Sequence, residues 1–254
     1  MSSGFSNVYD DEERAGSYAE LEFPGTYWLA YRDIPALIDA HVRGTRALDF
    51  GCGTGRSTRF LRDLGFDVVG VDIAESMLVR AREKDPDGDY RLVPDDELPG
   101  LEPCTFDVIL SAFTFDNISE MENKVALLTA LRRLLADDGR MVNLVSSPEI
   151  YVNEWASFST KDFSENRDAR SGDTVRIVML DVEDRRPVED VLCSGEAYAA
   201  AYERAGLNTI AIHRPLGQDE EPFDWVSETE ISPWVIYVLG RALVRPQAPQ
   251  PEHL

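Results

Sequence analysis

The sequence predicts an α/β protein built on a doubly wound, mostly parallel sheet. Three observations carry that reading. From Arg46 onward, short β-rich runs alternate with segments of helical period, the rhythm of strands joined by crossover helices. A glycine-rich turn, Asp49-Phe50-Gly51-Cys52-Gly53-Thr54-Gly55, falls between the first of these runs and the first helix after it. The chain has 254 residues and is 43% hydrophobic, enough to fill a sizeable core.

Taken in order, the first strand is read at 46–50, and the helix after the glycine turn carries Phe60, Leu61 and Leu64, with Gly65 as its C-terminal cap. A second strand at 67–72 leads into a helix through Met77, Leu78 and Ala81. Residues 85–88 make a turn, and the third and fourth strands follow at 90–93 and 106–111. Leu127, Leu128, Leu131, Leu134 and Leu135 recur at helical spacing up to Asp137-Asp138-Gly139, and a fifth strand occupies 141–145. After Ser146 the rhythm breaks. Residues 148–192 form a polar stretch studded with aromatics and holding one irregular strand at 174–182, which is read as an insertion. Regularity returns with Ser194 as a helix N-cap, a helix through Tyr198 and Tyr202, a stop at Gly206 and strands at 209–213 and 235–239. Upstream, Tyr27-Trp28-Leu29-Ala30-Tyr31-Arg32-Asp33-Ile34-Pro35 reads as a helix leading into the first strand. The expected division is an N-terminal helical cap (1–44), a core (45–147), a lid insertion after strand five (148–192), the rest of the core (193–244) and a tail (245–254). Three prolines and two glutamines mark that tail as disordered.

Charge and cysteine usage narrow the partners. With 47 acidic and 25 basic residues the formal charge is −22, which repels phosphate backbones and anionic membranes, so neither nucleic acid nor membrane is expected. An acidic surface that keeps the chain soluble is explanation enough. Cys52, Cys104 and Cys193 are widely spaced and odd in number, which fits neither a disulfide framework nor a zinc site. They point to a reducing cytoplasm and to no metal. Residues 1–10 lack the basic and apolar parts of an export signal, and the longest apolar run, near 234–239, is too short to span a bilayer. Whether the chain is a monomer or a homodimer is not legible.

The glycine turn needs glycines because side chains there would collide with a ligand lying across it. An acid, Asp49, stands two residues before its first glycine, and Asp72 closes the second strand, where a carboxylate can accept both hydroxyls of a ribose. The pattern therefore reads as a nucleoside site. A dinucleotide fingerprint would place its third glycine at Arg56, whereas this chain has G-x-G-x-G.

That turn resembles the first motif of the class I S-adenosylmethionine-dependent methyltransferases, and Val69-Gly70-Val71-Asp72-Ile73-Ala74 resembles their second. The resemblance covers residues 45 to 146 well and the remainder loosely. It implies a seven-stranded Rossmann-like methyltransferase sheet with an antiparallel last strand, S-adenosyl-L-methionine as cofactor and S-adenosyl-L-homocysteine as product. It implies, too, that Asp49 and Gly51 lie near the methionine part of the cofactor, that Gly53 and Gly55 flank its sugar, that Asp72 holds the ribose, and that Ile73 and Met77 pack on adenine. The family's third motif has an aspartate where Pro94 stands here, four residues before Leu98-Pro99, so the adenine contact falls to Asp95 or Asp96. Ser111, at the end of the fourth strand, is expected either to expose backbone to the methionine end or simply to end the strand. Arg32 stands where relatives place an arginine against the cofactor carboxylate, and a solvated arginine is the other reading.

Methyl transfer from a sulfonium is an in-line displacement, so few groups need to do chemistry. Asp116 and Asn117 follow the fourth strand on the active face and are read either as orienting the substrate or as a capping turn. Of three histidines, His41 precedes the first strand at the inactive end and His253 is in the tail. His213 closes a strand expected to run parallel, and is read either as a general base or as structural. So few bases favour amines or carboxylates over unactivated alcohols. Tyr151, Trp155, Phe158 and Phe163 in the insertion, with Tyr9, Tyr18 and Tyr27 opposite, are expected to close over the methyl donor or to form a satellite core, and Tyr151 is the candidate that touches substrate. The function expected is methylation of nitrogen or oxygen on a small molecule. The alternatives are another use of the sulfonium, by aminocarboxypropyl transfer or ring closure, or a silent cofactor-binding subunit that regulates a partner.

Overall fold

The computed structural model describes residues 24–93 and 98–242. In chain order its elements are α1 (Gly25–Arg32), α2 (Ile34–His41), β1 (Arg46–Phe50), α3 (Arg56–Asp63), β2 (Asp67–Asp72), α4 (Glu75–Lys84), β3 (Asp89–Leu92) and β4 (Phe106–Ala112). There follow α5 (Met121–Leu134), β5 (Leu135–Ser146), β6 (Phe158–Ser159), β7 (Thr174–Met179), β8 (Val188–Val191), α6 (Gly195–Arg204), β9 (Leu207–His213) and β10 (Trp234–Arg241). Seven strands form one sheet in the order β3-β2-β1-β4-β5-β10-β9. β1 pairs in parallel with β2 and β4, as does β4 with β5, whereas β10 runs antiparallel to both β5 and β9. The last strand is thus inserted against the run of the others, and β9 keeps their direction. The expected α/β sheet and its antiparallel last strand are both present.

Alternation along the strands explains why helices cover both faces. Ala47, Val108, Leu110, Val142, Leu144 and Ile236 point into one apolar cluster with α1, α2 and the insertion. Their neighbours Leu48, Ile109, Met141, Val145, Val235 and Leu239 point into the other, with α5 and α6. A period of two on a strand buried on both sides gives two cores from one run of residues. Burying each such side chain contributes about 1.5–3 kcal/mol, so the sheet is the main stabilising element.

Local chemistry sets the ends of the helices. Gly65 has φ +91 and an open Cβ direction, a left-handed stop after α3, and Ser194 Oγ accepts from the Ala197 N–H at 3.2 Å as the N-cap of α6. Two expectations are corrected. The single helix read over 27–35 is two, broken at Asp33, because Pro35 in the first turn of α2 cannot donate to Tyr31 and its ring would collide with that carbonyl in a continuous helix. The helix read to Asp137-Asp138-Gly139 stops at Leu134. The chain then pairs Leu135 with Phe106 and, after a register shift, Arg140 with Val108.

The insertion is ordered. Its strands make a second, antiparallel sheet in the order β6-β7-β8, and Asn166 fastens it by donating to the carbonyls of Tyr151 (2.9 Å) and Arg176 (2.8 Å) while accepting from the Arg176 N–H. Tyr151, Trp155 and Phe158 are buried in the same cluster as the main core. Glu228, fully buried, joins three parts of the chain: its carboxylate accepts from Thr26 Oγ1 at 2.5 Å, the Ala156 N–H at 2.8 Å and the Val226 N–H at 2.8 Å. No described helix is long and apolar enough to cross a membrane. The tail at 245–254 and Tyr9 and Tyr18 lie outside the described residues.

Candidate active site

The glycine turn joins β1 to α3 at the C-terminal edge of the sheet. Gly51, Gly53 and Gly55 all have positive φ (73, 53 and 77), a conformation in which other residues are strained. Packing adds a second reason at two of them: a Cβ on Gly51 would meet Thr114 Oγ1 at 2.1 Å, and one on Gly55 would meet the Tyr90 hydroxyl at 2.4 Å. At Gly53 the one neighbour within 4 Å among the described residues is the Met77 methyl, at 3.2 Å, so this is the open face of the turn.

Asp72 ends β2 beside that face. Its Oδ2 accepts from the Gly53 N–H at 2.8 Å and its Oδ1 from the Ala74 N–H at 2.9 Å, and burial raises its pKa. Next to it Ile73 is 51% exposed while Met77 is buried, which leaves a flat apolar surface beside the carboxylate. Asp49 lies inside. Its Oδ2 accepts from Ser57 Oγ (2.7 Å) and Thr58 Oγ1 (2.6 Å), but its Oδ1 is buried without a partner among the described residues. Burial pushes the Asp49 carboxyl up to about 6 against those two hydrogen bonds. Ser111 Oγ is likewise buried and unpartnered, in a strand paired on both sides, to Phe50 and to Asn143. Asp95 and Asp96 lie outside the described residues.

Beyond β4 the chain reverses at Phe113, a non-glycine residue with φ 65, into a short 3-10 turn, Thr114–Asn117. Such a φ costs of order 1 kcal/mol or more and needs support, which the Phe113 N–H finds at the Leu144 carbonyl (2.9 Å). The result turns the Phe113 ring against Trp234 (4.8 Å between centroids) and Tyr27 (5.9 Å). These rings, Phe158 and Met179 wall an open cavity of about 50 Å³. Asp116, Asn117, Ser146, Tyr151 and Asp190 supply its polar lining. Asp116 Oδ2 accepts from the Ser146 N–H at 3.0 Å and Oδ1 from the Tyr198 hydroxyl at 3.3 Å, while burial pushes its carboxyl up to about 6. Lys124 lies buried behind it, donating to the Phe115 carbonyl, and burial lowers its pKa. Tyr151 donates to Asp190 Oδ2 at 3.0 Å.

Asp116, Asn117 and Tyr151 line one cavity, and the Asp116 carboxylate accepts from the Ser146 N–H and the Tyr198 hydroxyl instead of capping a helix. Two candidates are held elsewhere. His213 closes a strand that does run parallel, but its Nε2 lies 2.7 Å from Asp33 Oδ2 and the residue does not line the cavity. Arg32 grips both Asp33 oxygens (2.7 and 2.8 Å) and Glu221 (2.7 Å), so its fork is committed to protein carboxylates. Three residues escaped the sequence reading. Arg56, the first residue of α3, is buried with its guanidinium 5.3 Å from the Tyr27 ring centre and 5.5 Å from that of Tyr31, near enough to Asp49 to favour its charged form. Its place directly after G-x-G-x-G was a usable signal. Asp190 and Trp234 gave none, since one sits in the irregular insertion and the other reads as an ordinary strand residue.

Residues 48–141 match the model of a methyltransferase domain. Over 136 residues the chain is 38% identical to a cypemycin N-terminal methyltransferase of a Streptomyces species, covering 52% of this chain and 54% of that protein. It is 33% identical over 96 residues to a ubiquinone biosynthesis O-methyltransferase of Bordetella pertussis, covering 36% of this chain and 40% of that one. The chain thus spans about half the length, or less, of these curated relatives. Among solved structures, the CcbJ methyltransferase from Streptomyces caelestis superposes with a TM-score of 0.61 at 19% identity, covering 87% of this chain and all of that one, a likeness of fold.

Proposed function

We propose that the chain, whose residues 48–141 match a methyltransferase domain, is a class I S-adenosylmethionine-dependent methyltransferase that transfers a methyl group from S-adenosylmethionine to a nitrogen or oxygen of a small molecule. One observation carries the reading: the open glycine turn, with Asp72 at its lip and the unpartnered Asp49 Oδ1 within, shares the C-terminal edge of the sheet with an aromatic-walled cavity.

The residues present fit the cofactor. Asp72 would accept from the ribose hydroxyls, Ile73 and Met77 would pack against adenine, and Gly51, Gly53 and Gly55 would let the sugar and methionine parts approach the backbone. A buried acceptor without a partner is costly unless a ligand supplies the donor, so Asp49 Oδ1 suits an N–H of the methionine part. Arg56, rather than Arg32, is the cation we assign to the methionine carboxylate. The cofactor brings the transferable methyl, held on a positively charged sulfur. The chain's own task is to align the substrate through Asp116, Asn117 and Tyr151 and to exclude water with the Tyr27, Phe113, Phe158 and Trp234 rings. The insertion serves as the roof. Among the described residues the cysteines are free, in keeping with a cytoplasmic enzyme.

An extract of small metabolites incubated with the enzyme and methyl-labelled cofactor tests the reading. Label is expected in a low-mass product with matching release of S-adenosylhomocysteine. Release of methylthioadenosine, or no labelled product, would contradict it.

A further inference from the structure

The cavity beside Asn117 gathers two carboxylates and an amide oxygen, with the Ser146 and Tyr151 hydroxyls among them. Asn117 Nδ2 donates to the Phe113 carbonyl at 3.2 Å, which fixes the amide's orientation and leaves Oδ1 buried without a donor among the described residues. Asp116 and Asp190 bring carboxylates to the same cavity, and among the described residues no lysine, arginine or histidine lines it. The nearest cations belong to the surrounding shell: Lys124 is turned to the Phe115 carbonyl behind Asp116, and Arg56 packs against Tyr27 and Tyr31. Neither lines the cavity. The remaining wall is largely aromatic, and ring faces attract cations as they attract alkyl groups. A carboxylate substrate would meet two acidic side chains here, and a neutral alcohol would bring a single donor and no charge to complement them. An ammonium group brings the N–H donor that Asn117 Oδ1 lacks and the charge that the two carboxylates favour.

We propose that the substrate of this site is an aliphatic or arylalkyl amine, bound as its ammonium ion with Asn117 Oδ1, Asp116 and Asp190 as acceptors and the Phe113 and Trp234 rings around its alkyl part. This deepens the methyltransferase reading and rests on it. Asp116 takes the proton that the ammonium sheds before the nitrogen has a lone pair to offer, and its raised pKa suits that exchange. Asp190, held by the Tyr151 hydroxyl, fixes the charge from the other wall.

The test is ligand-observed NMR on the full chain with three probes of one shape: 2-phenylethylamine, 2-phenylethanol and phenylacetate, each with and without saturating S-adenosylhomocysteine. The amine should bind about tenfold tighter than either of the others, the value of one charge-assisted hydrogen bond. Asp190→Asn keeps an acceptor for Tyr151, so it should abolish that preference while leaving the melting temperature and the S-adenosylhomocysteine affinity unchanged. Equal binding of the three probes, absence of amine binding, or an unaltered preference in Asp190→Asn would overturn the proposal. The two readings separate cleanly: normal S-adenosylhomocysteine binding without amine preference sinks only the amine assignment, whereas loss of S-adenosylhomocysteine binding sinks the methyltransferase reading and leaves the amine preference to be scored without it.

Discussion

Asp49 carries two opposed demands. Burial raises its carboxyl to about 6, so the folded state holds a proton there that the unfolded chain releases near 4. The folded state binding more protons means that this group's contribution to stability falls as pH rises from about 4 to about 6, then stays level. Asp49→Asn removes the dependence. The variant should therefore gain about 3 kcal/mol over the wild type above pH 6 and nothing at pH 4, as read from paired denaturant titrations. Because an amide N–H would then occupy the place of the unpartnered oxygen, S-adenosylhomocysteine should bind more weakly to this more stable protein. Asn117 is simpler. Asn117→Ala should lower kcat well over tenfold with little change in S-adenosylhomocysteine affinity, since the residue lines the cavity and not the glycine turn. The sequence singles out Asp49 by its place in the glycine motif and Asn117 by its place after β4. Arg32 and His213 were each open to two readings in the sequence, and Asp33, between α1 and α2, holds each of them in an ion pair or hydrogen bond. A partner 180 residues away from His213 leaves no local trace in sequence.

The insertion shows what periodicity does and does not reveal. Its position after β5 and its aromatic content were readable, and so was a strand over part of 174–182. The three-stranded sheet was not, because β6 is two residues long and its pairing with β7 is set by tertiary contacts. Fastening by Glu228 is equally invisible, since a lone glutamate near a tryptophan reads as a solvated loop. Glu228→Ala should cost about 3 kcal/mol or more, because it strips the acceptor from Thr26, Ala156 and Val226 together. Chemical unfolding measures that directly, and a loss under about 1 kcal/mol would show that the joint is not needed. Hydrogen exchange reads the roof. With Tyr151, Trp155 and Phe158 buried, the amides around them should be partly protected in the free protein, and bound S-adenosylhomocysteine should slow the 148–160 segment further. Ligand-independent exchange there would assign the segment to the core alone.

The whole chain follows from a parallel sheet buried on both faces. Strand runs such as Ala47-Leu48 and Ile109-Leu110 are apolar at every position because each face needs its own set, and that is why the alternation of strand and helix is legible in the residues themselves. Such a sheet gathers its ligand sites at one edge, where β2 ends in Asp72 and β1 and β4 lead into Gly51 and Phe113, and the cavity walls come from far apart in sequence, from Tyr27 to Trp234. Titration calorimetry with S-adenosylhomocysteine and, separately, NAD tests most directly whether that edge is a methyl-donor site. One-to-one binding of S-adenosylhomocysteine, no heat with NAD, and an affinity lowered by about 1.5–3 kcal/mol in Asp72→Asn are the results expected. Binding of NAD instead, or wild-type S-adenosylhomocysteine affinity in Asp72→Asn, would contradict the assignment.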